Sequence, residues 1–361
     1  MGYDYLIVGC GFAGAVSARC LADRGRKVLI MERRSHIGGN SYDFYNSFDI
    51  LVHKYGPHYF RTNDKDVWQF LSGFTEWRYC QYVIKSCVDG QLFDFPVNLN
   101  TINQFYGTRF SSMEAKEFIE KLRVKIDRPR NSKEQVISII GENIYNAFFK
   151  NYTIKQWGVD PSNLDASVTA RIPVRFNKDP RYFESIYQAM PKEGYSKLFE
   201  NMLDHPDISL MLNTDYHKDK DGINYTKLIY TGCIDEYFDF QFGKLPYRSL
   251  RFEFENYEQE YYQEYSQINY PNEYDFTRVV EIKHVTGQKI SKTTIVREYP
   301  ESEGEPYYPI PMMKNEQLYL KYKNEADKLR DTYFIGRLAQ YKYLNMDQVV
   351  KESIDLINKL E

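Results

Sequence analysis

A glycine-rich loop near the start of the sequence has the pattern of a ligand-binding site. Residues 9–14 read GCGFAG, a GxGxxG pattern that follows the apolar run 5–8 and precedes a helical pattern. In such a loop the first glycine permits a tight turn, the second lets the backbone approach a pyrophosphate, and the third lets helix and strand pack closely. Glu32 follows Gly14 by 18 residues and can accept hydrogen bonds from a ribose diol. The pattern predicts a dinucleotide site, and a purely structural turn is the alternative.

A second glycine pair, Gly38 and Gly39, lies soon after this acid and beside basic residues. Backbone at the pair can approach a ligand, and a basic side chain such as Arg33 can meet a pyrophosphate. The arrangement is similar to the large FAD-binding class that includes amine oxidases, which favours FAD over NAD. In that class a C-terminal segment closes on the flavin, and residues 336–338 and 346–347 are placed to do so. An ordinary turn is the alternative interpretation of the glycine pair.

Hydrophobic periodicity predicts the strands and helices on which these residues lie. Strands at 5–8 and 27–31 flank a helix at 15–22, which makes a βαβ unit that we expect to be parallel. A strand at 228–232 could return to this first sheet, and a further short strand begins at 333 before a helix at 347–360. The first and last segments therefore predict one discontinuous domain.

Between these segments the patterns change twice. Helical patterns dominate from 64 to 151, most clearly at 134–150. Strand patterns take over from about 250 to 300, including 278–285 and 293–299. The predicted order is a nucleotide-binding start, a helical insertion, a β region and a nucleotide-binding end.

Composition excludes several classes of function. The 361 residues correspond to two or three domains, or one large α/β body, at roughly 150 residues per domain. A net charge of −3 argues against general nucleic-acid binding, and 42% hydrophobic residues exclude a disordered chain. The five cysteines lack metal-ligand spacing, so we expect neither a metal site nor a disulfide framework, and a reducing, cytoplasmic location fits. No apolar stretch of about 18 residues predicts a membrane span.

Many short motifs then carry a specific resemblance. Residues 53–64 (HKYGPHYFRTND) resemble a signature segment of the bacterial UDP-galactopyranose mutase family. Further matches follow in the same order over nearly the whole chain: YTIKQWG at 152–158, RIPVRF at 171–176, YTG at 230–232, IDEYF at 234–238, YRSL at 247–250, TR at 277–278, EYP at 298–300, EPYYP at 305–309, GRLA at 336–339 and YKY at 341–343.

The resemblance implies an α/β fold with a discontinuous Rossmann-like FAD-binding domain, a helical-bundle insertion and an antiparallel β-sheet domain. The implied boundaries are FAD-binding at 1–75, mainly helical at 76–180 with a mobile lid near 158–178, FAD-binding at 181–245, an antiparallel substrate domain at 246–312 and FAD-binding at 313–361.

The resemblance also implies a redox-neutral reaction that needs reduced FAD. In the family, flavin N5 attacks the anomeric carbon of a nucleotide-diphosphate sugar, an iminium adduct forms, and the sugar recloses with a different ring size. An external reductant such as NAD(P)H and a homodimer are implied as partners.

Site residues are carried over by motif. The implied catalytic residues are Arg171, Arg278, His58 and Arg61. The implied cofactor residues are Gly9, Gly11, Ala13, Gly14, Glu32, Arg33, Gly38, Gly39, Asn40, His58, Tyr59, Arg337, Leu344, Asn345 and Met346. The implied substrate residues are Phe148, Tyr152, Thr153, Trp157, Arg171, Tyr182, Arg248, Asn269, Arg278, Tyr308 and Tyr343. For Arg248, structural pairing is at least as good an interpretation as substrate binding. For Phe148, helix packing competes with substrate binding.

Two departures from the family pattern bear on specificity. Arg61 stands where the galactose enzymes usually have His, and its planar, charged fork could contact an N-acetyl carbonyl or replace contacts to a missing hydroxyl. UDP-N-acetylgalactosamine and dTDP-fucose are therefore candidate substrates beside UDP-galactose. Asn345 stands where the family has Asp, so the role of that carboxylate is not carried over.

Two other classes of function stay open at this point. An ordinary flavin oxidoreductase of the amine-oxidase type would share the dinucleotide loop but would not need the paired arginines. A sugar-nucleotide binding protein would bind substrate without rearranging it.

Overall fold

A computed structural model describes residues 2–361. The strands, in chain order, are β1 (Tyr3–Val8), β2 (Val28–Met31), β3 (Asp43–Tyr45), β4 (Leu51–His53), β5 (Phe60–Thr62), β6 (Trp77–Tyr79), β7 (Ile84–Val88), β8 (Gln91–Phe95), β9 (Tyr187–Pro191), β10 (Ile208–Met211), β11 (Tyr225–Tyr230), β12 (Tyr247–Tyr257), β13 (Gln267–Asn269), β14 (Arg278–Val280), β15 (Thr293–Glu301), β16 (Tyr308–Pro309) and β17 (Thr332–Phe334).

The α-helices, in chain order, are α1 (Phe12–Ala22), α2 (Lys65–Ser72), α3 (Leu99–Tyr106), α4 (Ser112–Leu122), α5 (Ser132–Ile144), α6 (Asn151–Trp157), α7 (Ser167–Ala170), α8 (Tyr195–Leu203), α9 (Tyr216–Asp219), α10 (Ile234–Tyr237), α11 (Lys283–Thr286), α12 (Met313–Ala326) and α13 (Met346–Leu360). A π-helical turn at Tyr145–Lys150 joins α5 to α6.

The central sheet contains five parallel strands in the order β10-β2-β1-β11-β17. Its middle strands are apolar on both faces, as a parallel sheet covered on both sides requires. The sheet combines the start of the chain with strands from residues 208–230 and 332–334. The predicted βαβ unit and the discontinuous Rossmann-like domain are therefore confirmed.

Helix α1 packs closely on β1 because Gly14, the third glycine of the loop, has no side chain. A Cβ built on Gly14 would lie 1.9 Å from the carbonyl oxygen of Gly9, and Gly9 itself has a φ of +95°. Helix α13 packs beside α1, where the buried Ser353 Oγ, which donates to Val349 of its own helix, lies 3.4 Å from the carbonyl oxygen of Ala13. The last helix of the chain thus lies directly against the first.

The second sheet has seven strands in the order β16-β12-β15-β14-β13-β7-β8. The β7–β8 hairpin belongs to this sheet, and β13 pairs with β7 in parallel. The expectation that helices dominate 64–151 is therefore wrong for the strands between residues 77 and 95, and the β region is not purely antiparallel. The exact domain boundaries stay a prediction.

Two predicted elements differ from expectation. The range 134–150 is helical as expected, but the helix kinks at Gly141, whose φ is +79° and whose added Cβ would lie 2.7 Å from the carbonyl oxygen of Leu122. The strand expected at 278–285 ends at Val280, and the chain turns into α11. Lys283 fixes that turn because its buried ammonium donates to three backbone carbonyls, those of Glu260, Ile290 and Lys292.

Within residues 2–361, none of the helices combines the length and the apolar character needed to cross a membrane. In the same residues, no group of three or more His, Cys, Asp or Glu side chains is placed to hold a metal ion.

The substitution Gly14→Ala tests the close approach of α1 to β1. The new methyl group would collide with the Gly9 carbonyl, so we expect the free energy of unfolding to fall by about 1–3 kcal/mol. Denaturant unfolding measures it. Gly73→Ala is the control, because Gly73 has a φ of −68° at the end of α2 and its added Cβ would be 3.3 Å from the nearest atom. Equal stability of the two variants would contradict the packing argument.

Candidate cofactor and substrate clefts

The first cleft opens where three parallel strands end. Val8, Met31 and Tyr230 are the last residues of β1, β2 and β11, and all three line it. The N-terminus of α1 faces the same space, and among the described residues no side chain caps that end. Free backbone N–H groups and the helix dipole make such a position favourable for an anion.

Two glycine turns form the floor of this cleft. Gly38 and Gly39 have φ values of +87° and +54°, and a Cβ on Gly39 would lie 2.8 Å from the Cα of Gly11. A Cβ on Gly11 would meet its nearest neighbour only at 3.7 Å. The backbone of both turns is therefore bare toward the cleft, as close binding of a pyrophosphate requires. The residues present fit a dinucleotide.

Glu32 links the first glycine turn to the segment after β2. Its Oε2 accepts a hydrogen bond from the N–H of Cys10 at 2.7 Å, and its Oε1 accepts one from the N–H of Arg34 at 2.8 Å. The side chain is buried and lines the cleft. Because each carboxylate oxygen has two lone pairs, Glu32 can still accept a ribose hydroxyl.

Most of the predicted cofactor residues line this first cleft. They are Gly9, Gly11, Ala13, Glu32, Arg33, Gly38, Gly39, Asn40, His58, Arg337, Leu344 and Met346. Gly14 instead lies beneath the loop, packed on Gly9. Tyr59 lines the neighbouring cleft, because its ring stacks on Tyr82 at 3.7 Å. Asn345 also lines that cleft and begins α13, with its N–H donating to Gln348 at 2.8 Å.

The second cleft lies between the seven-stranded sheet, helix α6 and the start of α13. Three residues line both clefts and therefore mark the junction between them: His58, Arg337 and Met346. The second cleft brings together ten of the eleven predicted substrate residues and Arg61: Phe148, Tyr152, Thr153, Trp157, Arg171, Tyr182, Asn269, Arg278, Tyr308 and Tyr343.

Arg278 is held by an ion pair across the sheet. It lies opposite Glu298 in the β14–β15 pairing, and its Nη2 donates to Glu298 Oε1 at 2.5 Å. Burial opposes the charge of Arg278, but Glu298 outweighs this effect and raises the pKa of Arg278 well above its ordinary value. The Glu298 side chain is only 1% exposed. Arg278 is therefore a fixed, permanent cation in the cleft wall.

Arg171 is held differently. It follows α7, its Nε donates to the carbonyl oxygen of Val168 at 3.1 Å, and its guanidinium lies 4.2 Å from the centre of the Tyr343 ring. Arg337 lies over the same ring at 5.1 Å, and Tyr308 stacks against it at 5.5 Å. Enclosure alone would raise the pKa of Tyr343, but Arg171 and Arg337 lower it overall. The two arginines and two tyrosines form one group of hydrogen-bond donors.

His58 is neutral at the junction of the clefts. Burial, followed by the nearby His53, lowers the pKa of His58 to about 3. Its Nδ1 lies 2.8 Å from the carbonyl oxygen of Gly56, and its backbone N–H donates to His53 Nδ1 at 3.0 Å. These bonds assign the proton to Nδ1, which leaves Nε2 as an acceptor.

Arg248 is not among the residues that line the cleft, and its contacts favour the structural interpretation. The side chain is buried and donates to the backbone carbonyls of Gln156 and Lys155 at 3.0 and 3.1 Å. It therefore caps the C-terminal end of α6, where a cation is favourable. Phe148 combines both interpretations, because it lines the cleft and also packs edge-on against Phe93 at 5.2 Å.

The segment expected to form a lid begins at Gly158, whose φ is +69°. An added Cβ there would lie 2.8 Å from Arg248, so the segment leaves α6 over a capped helix end. Arg175 within it is buried and pairs with Glu184 at 2.8 Å, which is a structural role. Movement of this segment stays a prediction.

Sequence reasoning did not identify several polar residues of the second cleft, among them Glu298, Tyr82 and Asp347. Glu298 stands in a matched motif, but its role follows only from the strand register. Tyr82 donates to Gln267 Oε1 and lines a part of the cleft that none of the matched motifs covers. Asp347 lines the cleft near Arg61; the sequence placed residues 346–347 at the closing segment but assigned Asp347 no contact with a ligand.

Comparisons with known proteins agree with this arrangement. The family model described as UDP-galactopyranose mutase matches residues 147–343, and one described as an NAD(P)-binding Rossmann-like domain matches residues 7–74. The chain is 40% identical over 358 residues to a probable UDP-galactopyranose mutase of Klebsiella pneumoniae, covering 97% of this chain and 93% of the relative. It is 39% identical over 362 residues to a dTDP-fucopyranose mutase of Escherichia coli, covering 97% and 96%.

A solved structure has the same fold. The chain superposes on a reduced UDP-galactopyranose mutase with a TM-score of 0.79 at 17% identity, covering 99% of this chain and 95% of that one. The predicted resemblance and fold class are thus confirmed.

The substitution Gly11→Ala tests the first cleft. Its φ of −81° suits alanine and its added methyl group would clash with no atom of residues 2–361, so we expect stability within about 0.5 kcal/mol of the parent protein. The methyl group would occupy the space needed by a pyrophosphate, so FAD should bind about 10- to 100-fold more weakly. Titration of the FAD-free protein, followed by flavin fluorescence, measures this. Unchanged affinity would contradict the placement of the pyrophosphate.

Proposed function

The chain belongs to the UDP-galactopyranose mutase family, and on this premise we propose that it interconverts the pyranose and furanose forms of a nucleotide-diphosphate hexose, with reduced FAD in the first cleft. The observation that carries the proposal is the meeting of the two clefts at His58, Arg337 and Met346. A cofactor in one cleft and a sugar in the other would touch there.

FAD fits the first cleft by its polar groups. The two bare glycine turns and the N-terminus of α1 would hold the pyrophosphate, and Glu32 would hold the ribose. When bound and reduced, the flavin ring supplies a nucleophilic nitrogen. Neutral His58 would present an acceptor at Nε2 to the flavin edge without adding charge.

The two cleft arginines would bind the diphosphate. A departing diphosphate gains negative charge, and a preorganised guanidinium stabilises it while accommodating two oxygens at once. Arg278 would act as the fixed cation because Glu298 holds it. Arg171 would be the adjustable one, because within residues 2–361 it forms no ion pair and contacts the Tyr343 ring instead.

Tyrosine hydroxyls would complete the phosphate site. Tyr308 and Tyr343 stack beside Arg171 and Arg337, and Tyr182 lines the same cleft. A phenol donates a hydrogen bond without burying another charge. Closure of the segment after Gly158 would exclude water while the nucleotide is detached from the sugar.

Arg61 would select the sugar. The two curated relatives are nearly equal in identity and differ in sugar and base, so sequence similarity does not choose between UDP-galactose and dTDP-fucose. The Arg61 guanidinium lines the cleft and lies 4.0 Å from the Phe183 ring centre. We propose that this donor broadens or alters the sugar preference, with UDP-N-acetylgalactosamine as the third candidate.

The second candidate function, an FAD-dependent oxidoreductase of the amine-oxidase type, fits the cleft poorly. Four arginines line it, Arg61, Arg171, Arg278 and Arg337, against the acids Glu298 and Asp347. A protonated amine substrate would be repelled by this excess of positive charge.

An external reductant such as NAD(P)H would prime the flavin of the mutase. The homodimer and the cytoplasmic location stay predictions.

The decisive experiment incubates the FAD-loaded, dithionite-reduced protein with UDP-galactose, UDP-N-acetylgalactosamine and dTDP-fucose, all in pyranose form. We expect conversion of at least one of them to a furanose isomer, separated by chromatography, without stoichiometric use of oxidant. Arg278→Lys should lower kcat about 100-fold or more, because lysine cannot present a two-pronged donor to the leaving diphosphate.

The matched control is Arg251→Lys, at an exposed position on strand β12 of the same sheet. This variant should keep the parent activity. Isomerisation of none of the three sugars, or net oxidation of the substrate, would refute the mutase proposal for these sugars.

The variant Arg61→His tests the sugar proposal separately. The ratio of kcat/KM between two sugars should change by about 10-fold or more, since a lost or gained polar contact in a binding site has that effect. Competition assays with pairs of the three sugars provide the ratio. The same ratio in both proteins would remove Arg61 from the specificity determinants.

A further inference from the structure

We infer that Asp347 is a specificity-determining residue, and that it forms with Arg61 a clamp for two neighbouring oxygens of the hexose ring. The inference rests on the proposed function, because it assigns the sugar end of the same cleft. Both residues line the second cleft.

The two charges face one another without pairing. Burial raises the pKa of Asp347 above its ordinary value, and the charge of Arg61 is the strongest influence opposing this, yet the nitrogen atoms of Arg61 and the carboxylate oxygens of Asp347 are more than 4.0 Å apart. The Arg61 guanidinium contacts the face of Phe183, and within residues 2–361 it donates no hydrogen bond. Oδ1 of Asp347 is buried and has no hydrogen-bond partner in the same residues. A donor and an acceptor are thus left open on either side of a gap.

Their place in the chain puts this gap at the reacting end of the cleft. Arg61 follows His58 by three residues and lies in β5, and Asp347 directly follows Met346 in the first turn of α13. His58 and Met346 line both clefts, so the gap lies next to the junction with the cofactor cleft. The reacting carbon belongs to the sugar, so the sugar must occupy this end.

The charge of Asp347 decides which part of the substrate it meets. A carboxylate repels a diphosphate but accepts hydrogen bonds from hydroxyl groups. Glu298, the other acid of the cleft, is already paired with Arg278. Asp347 therefore accepts from a ring hydroxyl, while Arg61 donates to an adjacent oxygen, either a second hydroxyl or an acetamido carbonyl. The ligand class is a hexose with two neighbouring oxygen substituents.

The experiment compares a ligand with the hexose and one without it. FAD-loaded parent and Asp347→Asn proteins are titrated with UDP, UDP-galactose, dTDP and dTDP-fucose in a calorimeter. The nucleotide sugar that binds the parent best should bind Asp347→Asn about 10-fold more weakly, because a hydrogen bond to a carboxylate is replaced by a weaker one to a neutral amide. Its matching nucleotide diphosphate should bind within about threefold of the parent, because it lacks the hexose.

Two further variants keep the test independent of folding defects. Asp355→Asn changes an exposed acid on the same helix, α13, and should leave all affinities unchanged. Arg61→Met should show the same sugar-specific loss, and its combination with Asp347→Asn should lose less than the product of the two effects, since both contact one ligand group.

Each outcome has a separate meaning. If UDP and the nucleotide sugar change in parallel in Asp347→Asn, the residue only sets the charge of the cleft and the inference is overturned. An unchanged affinity for both overturns it as well. Failure of the parent protein to bind any nucleotide diphosphate refutes the proposed function instead, and sugar binding without isomerisation refutes only the reaction.

Discussion

A guanidinium that must stay charged inside a cleft needs a counter-charge fixed in the protein, and the β14–β15 register supplies one for Arg278. Glu298 lies opposite it on the neighbouring strand, buried and without a water-exposed face. Because breaking a buried pair leaves an uncompensated charge, the register of the sheet and the charge of the cleft depend on one another. The seven-stranded sheet therefore acts as the rigid wall against which the other groups are arranged.

Arg171, the second cation of the cleft, is held less tightly than Arg278. Arg171 contacts an aromatic ring instead of an acid, and it follows a segment that begins at Gly158 and rests on Arg248. One cation is thus fixed to the sheet by an ion pair, and the guanidinium of the other is held by a backbone carbonyl and a ring contact. This asymmetry suits a site that must admit a large anionic ligand, enclose it and release it.

The cofactor half of the molecule could be predicted from local sequence, because each glycine of the loop and Glu32 act within one βαβ unit. The cleft residues were accessible only through motifs, since Arg171, Arg278 and Tyr343 are distant in the chain and meet only in the fold. The capping role of Arg248 could not be predicted, because the carbonyl end of α6 that it caps cannot be recognised in a motif. The break at Gly141 and the hairpin at residues 84–95 follow from tertiary contacts that periodicity does not report.

The central sheet draws strands from both ends of the chain, and this has a consequence during synthesis. Strand β17, the turn at Gly336 and the start of α13 supply one side of the cofactor cleft. A nascent chain on the ribosome would carry the glycine loop from the beginning but would lack that side until residues 332–349 had emerged. A cofactor in this cleft would therefore be fully enclosed only after residues 332–349 had been made, and it would contact both the early and the late parts of the protein.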